Sequence, residues 1–467
     1  MSKETNTAPT RRAVTAVLCV FVMPAAGVRA SDCGVAGGPD VGFADIVSIA
    51  SYAPENGVAA FSAGVTLCNF GNLPADCQAS TPLHPVWVTN LYRLKDVGGA
   101  ARFEQIGMSW AYHEFLPLQM NACCQTCQPG ESSQLGVQCS TSTSSGSAGT
   151  RTLLGPRAEV NPATGEFPYP HADPPWSGTI ARRLQAAISD LDPLADGGGS
   201  YFIEVQCVAL DDADDGNSGN NATHRAVRVV PAGESWNLLP TGAAAVGEAA
   251  MEGWRVADPQ VYLSSLDVAG DGRFRLAARA TALGGGVWRY EYALRNATSE
   301  RAAQAFFVAI FPGTQVATVG FHDVHYHSGD GVGGVDFSAE DWEATVTAGG
   351  VSWSTQSYSD DPGANALRWG TLYNFRFDAD RPPVLGEAAV TLFKPGTPAS
   401  AAIATIVPGT CIGDVDASGA VGLADLSTLL SAYGLAGGFS PSDLDGDGDV
   451  DLADLSELLS VYGTSCP

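Results

Sequence analysis

Positive charge is scarce in this chain: 24 Lys and Arg stand against 50 Asp and Glu over 467 residues, a formal net charge of −26. Such a surface repels phosphate backbones, which excludes nucleic acid as a partner and favours solubility and cation binding. Methionine and histidine are also few, 5 and 7. Long apolar runs are missing beyond the first thirty residues, so no membrane span is expected. The motifs G-x-S-x-G and H-E-x-x-H and any phosphate-binding glycine loop are absent as well, which removes the commonest readable catalytic centres.

What is present begins with an export signature. Lys3, Arg11 and Arg12 precede the apolar run "AVTAVLCVFVMPAAG", and Val28-Arg29-Ala30 forms a small-residue cleavage pattern. Residues 1–30 therefore read as a signal peptide and the mature chain as secreted. Its removal deletes four cations and one acid, leaving the rest more acidic still. Ten cysteines follow: Cys33, Cys68, Cys77, Cys123, Cys124, Cys127, Cys139, Cys207, Cys411 and Cys466. An even number in an exported chain predicts disulfides, with a zinc site at Cys123, Cys124 and Cys127 as the rival reading.

The composition divides the chain in three, and the fold expected is mainly β. Residues 31–240 form a cysteine-rich, disulfide-stapled β domain. Within it "STSTSSGSAGT" (140–150) and "DDADDGNSGNN" (211–221) read as exposed loops, having nothing apolar to bury. The shift at "PTGAAAVGEAAMEGW" marks a boundary, and residues 250–408 carry some seven or eight short strands that predict an antiparallel β-sandwich. In "VWRYEYALRN", Trp288, Tyr290, Tyr292 and Leu294 alternate with Arg289, Glu291, Ala293 and Arg295, which predicts one greasy face and one mostly wet one. The preceding Gly284-Gly285-Gly286 predicts a hairpin turn.

Residues 409–467 hold ten acids and no Lys, Arg or His, and they repeat. "DVDASGAVGLADLSTLLSAYG" from Asp414 aligns without a gap on "DLDGDGDVDLADLSELLSVYG" from Asp443, at a period of 29 residues. Each copy keeps the spacing of an EF-hand loop: oxygen ligands at positions 1, 3 and 5, a backbone carbonyl at 7, a water-mediated contact at 9, a carboxylate at 12 and Gly at 6. Those ligand positions are Asp414, Asp416, Ser418, Ala420, Gly422 and Asp425 in the first copy, with Gly419 at the turn. In the second they are Asp443, Asp445, Asp447, Asp449, Asp451 and Asp454, with Gly448 at the turn. Leucines at helical spacing follow each loop, and no helix is expected before it. Two Ca²⁺ ions are the expected cofactor, bound more weakly by the first loop with its fewer carboxylates.

A duplicated loop-plus-helix with Asp at position 12 resembles the dockerin family over about residues 411–464. The resemblance implies a small all-α module with two calcium ions that docks its parent protein to a cohesin-like or cell-surface receptor module. The chain departs from cellulosomal members at loop positions 10 and 11, where Leu423-Ala424 and Leu452-Ala453 replace a polar pair, and it lacks their basic pair. Cys411 and Cys466 bracket the module, and a disulfide between them would clamp its ends. The phrases "NLYRLKD", "LGPRAEVNP" and "LRWGTLYNFRFDAD" are similar to stretches of uncharacterised secreted bacterial proteins, which implies no activity.

The functional expectation is a secreted, non-catalytic protein used for extracellular attachment. The alternative is a polysaccharide-binding or polysaccharide-degrading protein, a hydrolase of O-glycosyl bonds, carried by the same module. Its sign would be a groove combining paired carboxylates with exposed Trp; Trp87, Trp110, Trp176, Trp288 and Trp353 are the candidates, with core packing as their ordinary role. In "GFHDVHYHSGD", Asp323, His325 and His327 would share one strand face beside His322 and Asp330, a candidate metal or acid–base cluster with a structural or surface role as the ordinary reading. His113 and Glu114 are adjacent and should point apart.

Overall fold

A computed structural model describes residues 36–195 and 198–466. The expected signal peptide, residues 1–30, and Cys33 lie outside the described residues. The fold is mainly β, with three bodies along the chain.

The first is an eleven-stranded sheet. Its main path uses β1 (Val41–Glu55), β2 (Val58–Asn69), β3 (Val86–Val97), β4 (Ala100–Met108), β5 (Leu184–Ala187), β6 (Ser200–Val208), β7 (Ala222–Ala232) and β8 (Ser235–Pro240). The order is β1-β2-β5-β4-β3-β6-β7-β8, antiparallel at every pair. The sheet curls until β7 meets β1: Thr223 Oγ1 donates to the Phe43 carbonyl at 2.8 Å, and Arg225 bonds Asp45 and the Ile46 carbonyl. Trp87, Phe43, Phe61, Ile203 and Val205 fill the interior.

Both stretches expected as exposed loops are exposed only in part: Ser142, Ser144, Gly146, Ser147 and Thr150 in the first and Asp214, Asp215, Gly216 and Gly219 in the second face solvent, and the rest is built into the fold. Ser140–Thr143 pairs with Val65–Cys68 of β2, because small hydroxyl residues suit a crowded edge and backbone pairing does not need apolar side chains. In the acidic stretch Leu210–Asp214 is a helical turn, and Asp212 is wholly buried. Its carboxylate accepts from Val41 N–H (2.8 Å), Asn221 (2.8 Å) and Ser218 (3.3 Å), tying this segment to the start of β1. Burial pushes Asp212 up to about 7, with its hydrogen bonds pulling the other way.

Cysteine pairing is incomplete. Cys68–Cys123 and Cys127–Cys139 are bonded and Cys124 is also in a disulfide, so the zinc reading of "CCQTC" fails for want of thiolates. Cys77 and Cys207 remain thiols, each alone in the core. Burial pushes the Cys77 thiol up to about 12, so it is inert.

The second body is the expected β-sandwich. Its strands are β9 (Tyr262–Asp267), β10 (Arg273–Gly284), β11 (Val287–Asn296), β12 (Ala303–Ala309), β13 (Val316–His322), β14 (Glu343–Thr347), β15 (Gly350–Ser354), β16 (Leu372–Ala379), β17 (Pro383–Leu392) and β18 (Ser400–Pro408). One sheet runs β9-β10-β11-β16-β13 and the other β14-β15-β12-β17-β18. Gly285 and Gly286 turn β10 into β11 with φ of 64° and 81°, the left-handed pair a two-residue hairpin needs. Phe306, Trp353, Phe375 and Phe377 pack between the sheets against Tyr290 and Tyr292 of β11.

The other face of β11 is not wet. It presses on the first body across β3, β4 and β6, with the helix α1 (Met251–Ala257) wedged in the seam. The composition shift at the expected boundary is thus a buried joint: Trp254 is fully buried and stacks on Phe103 at 6.1 Å. Charged residues there are buried in pairs. Arg102 grips Glu291 through Nε and Nη2 at 2.8–3.1 Å, and Arg295 donates to Glu204 at 2.9 Å. Glu204 also accepts from Asn90, Tyr92 and Ala250 N–H, so its carboxylate has four donors. Burial alone would push Glu204 up, but the Arg295 guanidinium and these donors hold it below the usual carboxylate range.

The third body, residues 411–466, is two helices with their loops. Helix α2 (Leu423–Ala432) and helix α3 (Leu452–Ser460) each follow an acidic loop directly. Cys411–Cys466 is bonded. The core consists of Val415, Val421 and Leu429 with Leu444, Val450 and Leu458, the same three positions in both copies. Backbone bonds interlock the copies: Val421 exchanges with Gly463 and Thr464 after α3, and Val450 exchanges with Gly434 and Leu435 after α2. A repeat that buries each half against the other explains why one copy alone would have no core.

Candidate metal centre

The two loops build the same cradle from the same bonds. Asp425 and Asp454, at position 12, are buried at the first turns of α2 and α3. Asp425 Oδ1 accepts from Val415 N–H (2.8 Å) and Asp416 N–H (3.2 Å), while Oδ2 accepts from Gly422 N–H (2.7 Å). Asp454 accepts from Leu444 (2.6 Å), Asp445 (3.3 Å) and Asp451 (2.7 Å), the corresponding amides. At position 1, Oδ2 of Asp414 and of Asp443 accept from the position-6 glycines, Gly419 (2.8 Å) and Gly448 (3.0 Å). Those glycines have φ of 89° and 103°, which a residue with a Cβ adopts only under strain.

These bonds hold like charges together. Oxygens of Asp414, Asp416 and Asp425 lie within 4.8 Å of one another, as do those of Asp443, Asp445 and Asp454, and those of Asp449, Asp451 and Asp454. A carboxylate pair at that spacing repels by roughly 3–4 kcal/mol at an effective dielectric constant of about 20. Ser418 and the Ala420 carbonyl stand at the first loop, 3.3 Å apart, and Asp447 borders the second. The donor set is all oxygen and mostly anionic, which fits a hard divalent cation of the Ca²⁺ class and not a soft metal. Cys411 and Cys466 also approach Asp414, but their sulfurs are bonded to each other and offer no thiolate.

Charge frustration is greater in the second loop. Burial, with Asp454 and Asp445 beside it, pushes Asp443 up to about 6 against its bonds to Gly446 and Gly448. Asp445 is raised by burial and then by its acidic neighbours, and Asp449 chiefly by Asp447. In the first loop Asp416 is instead lowered, mainly by its bond to Ser418. A cation must displace the protons that raised groups hold in acid, so metal affinity at the second loop is expected to fall as pH drops through about 6.

A comparison with protein-family models finds no match. A comparison with curated proteins finds none either. The site therefore rests on its own geometry.

The histidine cluster in "GFHDVHYHSGD" is not assembled. Strand β13 ends at His322, so the alternation that would align Asp323, His325 and His327 stops before them. His322 faces the Gln105 carbonyl at 3.2 Å, Asp323 is bonded by Asn365, His325 is exposed, and His327 and Asp330 are buried near Arg157.

A different histidine group, unreadable because its members come from three distant segments, does form. His84 and His113 are buried with ring centroids 5.6 Å apart, and His113 stacks on His171 at 4.5 Å. Burial, reinforced by the neighbouring imidazoles, pushes His113 down to about 2 and His84 to about 4. These rings fold neutral, so their stability contribution is complete above the unfolded pKa near 6.5 and is lost as pH falls below it. His113→Phe is accordingly expected to gain on wild type by about 2 kcal/mol between pH 7.5 and pH 5. Denaturant melts of both proteins at the two pH values measure it; an unchanged difference contradicts the burial argument.

The sign of a sugar groove is not met in the clefts between the two β bodies. The larger, 500 Å³, is bounded by Glu252, Asp267, Arg273 and Arg275, whose charges are paired with one another. The smaller, 240 Å³, has Tyr326, Phe337 and Tyr358 on its walls, and its tryptophan, Trp369, is buried. Trp87, Trp110, Trp288 and Trp353 are core residues, while Trp176 is partly exposed beneath Arg151.

Proposed function

We propose that residues 411–466 are a dockerin-like module that binds two Ca²⁺ ions and attaches a secreted protein to a cohesin-like or other cell-surface receptor module. The observation that carries the reading is a repeated apolar face left uncovered. Leu423 and Leu452 are 72% and 63% exposed, Leu430 and Leu459 are both 53% exposed, and Tyr433 and Tyr462 follow them. Equivalent residues on both helices are exposed to the same degree, although each helix buries its own Leu429 or Leu458. A matched pair of greasy faces around a pseudo-twofold axis is what a receptor-binding surface requires, and a solitary structural helix has no reason to keep it. The disulfides and β-rich bodies fit an exported protein, and among the described residues no helix is long and apolar enough to cross a membrane.

The test pairs calcium with the apolar face. Binding to a panel of immobilised cohesin-type modules is expected to need calcium, and the double substitution Leu423→Ser with Leu452→Ser should weaken it about a hundredfold, two exposed contacts of roughly 1–2 kcal/mol each. Calcium uptake should be unchanged in the variant. Binding that ignores both calcium and the double substitution would refute the attachment role.

A further inference from the structure

The two loops differ in what surrounds them. At the first loop nothing lies within 4 Å of where a Cβ on Gly419 would stand, and position-1 Asp414 is bonded by Thr410, in the short segment that joins β18 to the module. The second is seated on the sandwich. Gln260, just before β9 and 8% exposed, donates from Nε2 to Asp443 Oδ2 at 3.0 Å. Beside it Gly446 lies against Trp288 at the start of β11, so closely that a Cβ would come within 3.0 Å of the indole and 3.3 Å of Ala282. Tyr262 meets Phe439, in the segment leading into the loop, edge-on at 6.3 Å.

This seating explains a departure between the repeats. The residue equivalent to Gly446 in the first copy is Ala417, and both have left-handed backbone, with φ of 78° and 57°. The loop conformation therefore tolerates alanine, and the glycine is needed for the approach of Trp288. Asp443 is also the position-1 ligand, so a side chain of another domain orients a carboxylate of the cradle. Partners in that position usually change metal affinity by tenfold or more when removed.

We infer that the sandwich completes the second calcium site through Gln260 and the Trp288 face, so that the ion at this loop and the docking of residues 411–466 stabilise each other while the first loop loads independently. The inference rests on the calcium reading of the loops. Coupling of this kind is reciprocal: whatever docking adds to affinity, the ion adds to docking.

Full-length chain stripped of metal and titrated with Ca²⁺ by calorimetry tests it, alongside hydrogen exchange of the segment 286–289. Gln260→Ala and Gly446→Ala are each expected to weaken the second site about tenfold and leave the first unchanged. Gly446→Ala places in the loop the residue its own repeat accepts, so it undocks the module without unfolding it. Calcium should slow exchange at 286–289 in wild type and in Asp414→Asn, and fail to do so in Asp454→Asn. Wild-type affinities at both sites in the two docking variants, or equal protection of 286–289 in Asp454→Asn, would overturn the coupling alone. A wild-type chain that takes up no calcium would overturn the calcium reading and the coupling together.

Discussion

Chelating calcium is expected to unfold residues 411–466 while both β bodies keep their structure. The module has six buried apolar side chains for its core, far fewer than a segment of this size needs to fold unaided. Its loops meanwhile hold carboxylates within 4.8 Å of each other, a cost that a bound cation reverses at neutral pH. At a thousandfold excess over its dissociation constant each ion adds about 4 kcal/mol, so two ions account for a large part of the module's stability. The Cys411–Cys466 bridge limits the unfolded ensemble but supplies neither core nor counter-charge. Circular dichroism in excess chelator should therefore lose its helical part and keep its β part, and scanning calorimetry should resolve a separate low-temperature transition that calcium moves upward. A helical signal indifferent to chelator would mean that the leucines and the disulfide suffice.

Arg295→Met is expected to cost about 3–5 kcal/mol, the second large effect, because it strands Glu204 as a charge with no solvent exposure and no cation. The remaining donors, Asn90, Tyr92 and Ala250 N–H, are neutral and offset only part of the desolvation. Adding Glu204→Leu to the same chain should restore most of the loss, since a buried pair exchanged for apolar groups is often neutral. Denaturant unfolding of the single and double variants separates these outcomes. A single variant within 1 kcal/mol of wild type would show that the seam between the β bodies is wet. Together with the pair Arg102–Glu291, this seam joins the two β bodies through charge as well as through Trp254 and Phe103.

That seam marks the limit of what could be read from residues alone. The alternation in "VWRYEYALRN" correctly assigned the strand and its inward face, Trp288 to Leu294. It could not assign the outer face, because Glu291 and Arg295 look like solvent residues until another domain brings Arg102 and Glu204 to them. The acidic stretch at 211–221 misled because one donor is remote: Asp212 is buried on the Val41 N–H at the start of β1, together with Asn221 and Ser218 from the stretch itself. Histidine pairing likewise depends on which segments meet, so the adjacent His325 and His327 separate while His84, His113 and His171 gather. The acidic cradles were legible because their carboxylates are local: twelve consecutive residues carry each one, and the 29-residue repeat states it twice. Docking of the second loop left only one local trace, Gly446 where the first copy has Ala417.

The central claim is that these two loops are two cation sites of unequal strength. Calorimetric titration of metal-free full-length chain with Ca²⁺ tests it most directly. Two ions per chain are expected, the tighter lost in Asp454→Asn and the weaker in Asp425→Asn. Absence of any calcium response, or a single class of equal sites that survives either substitution, would contradict the account.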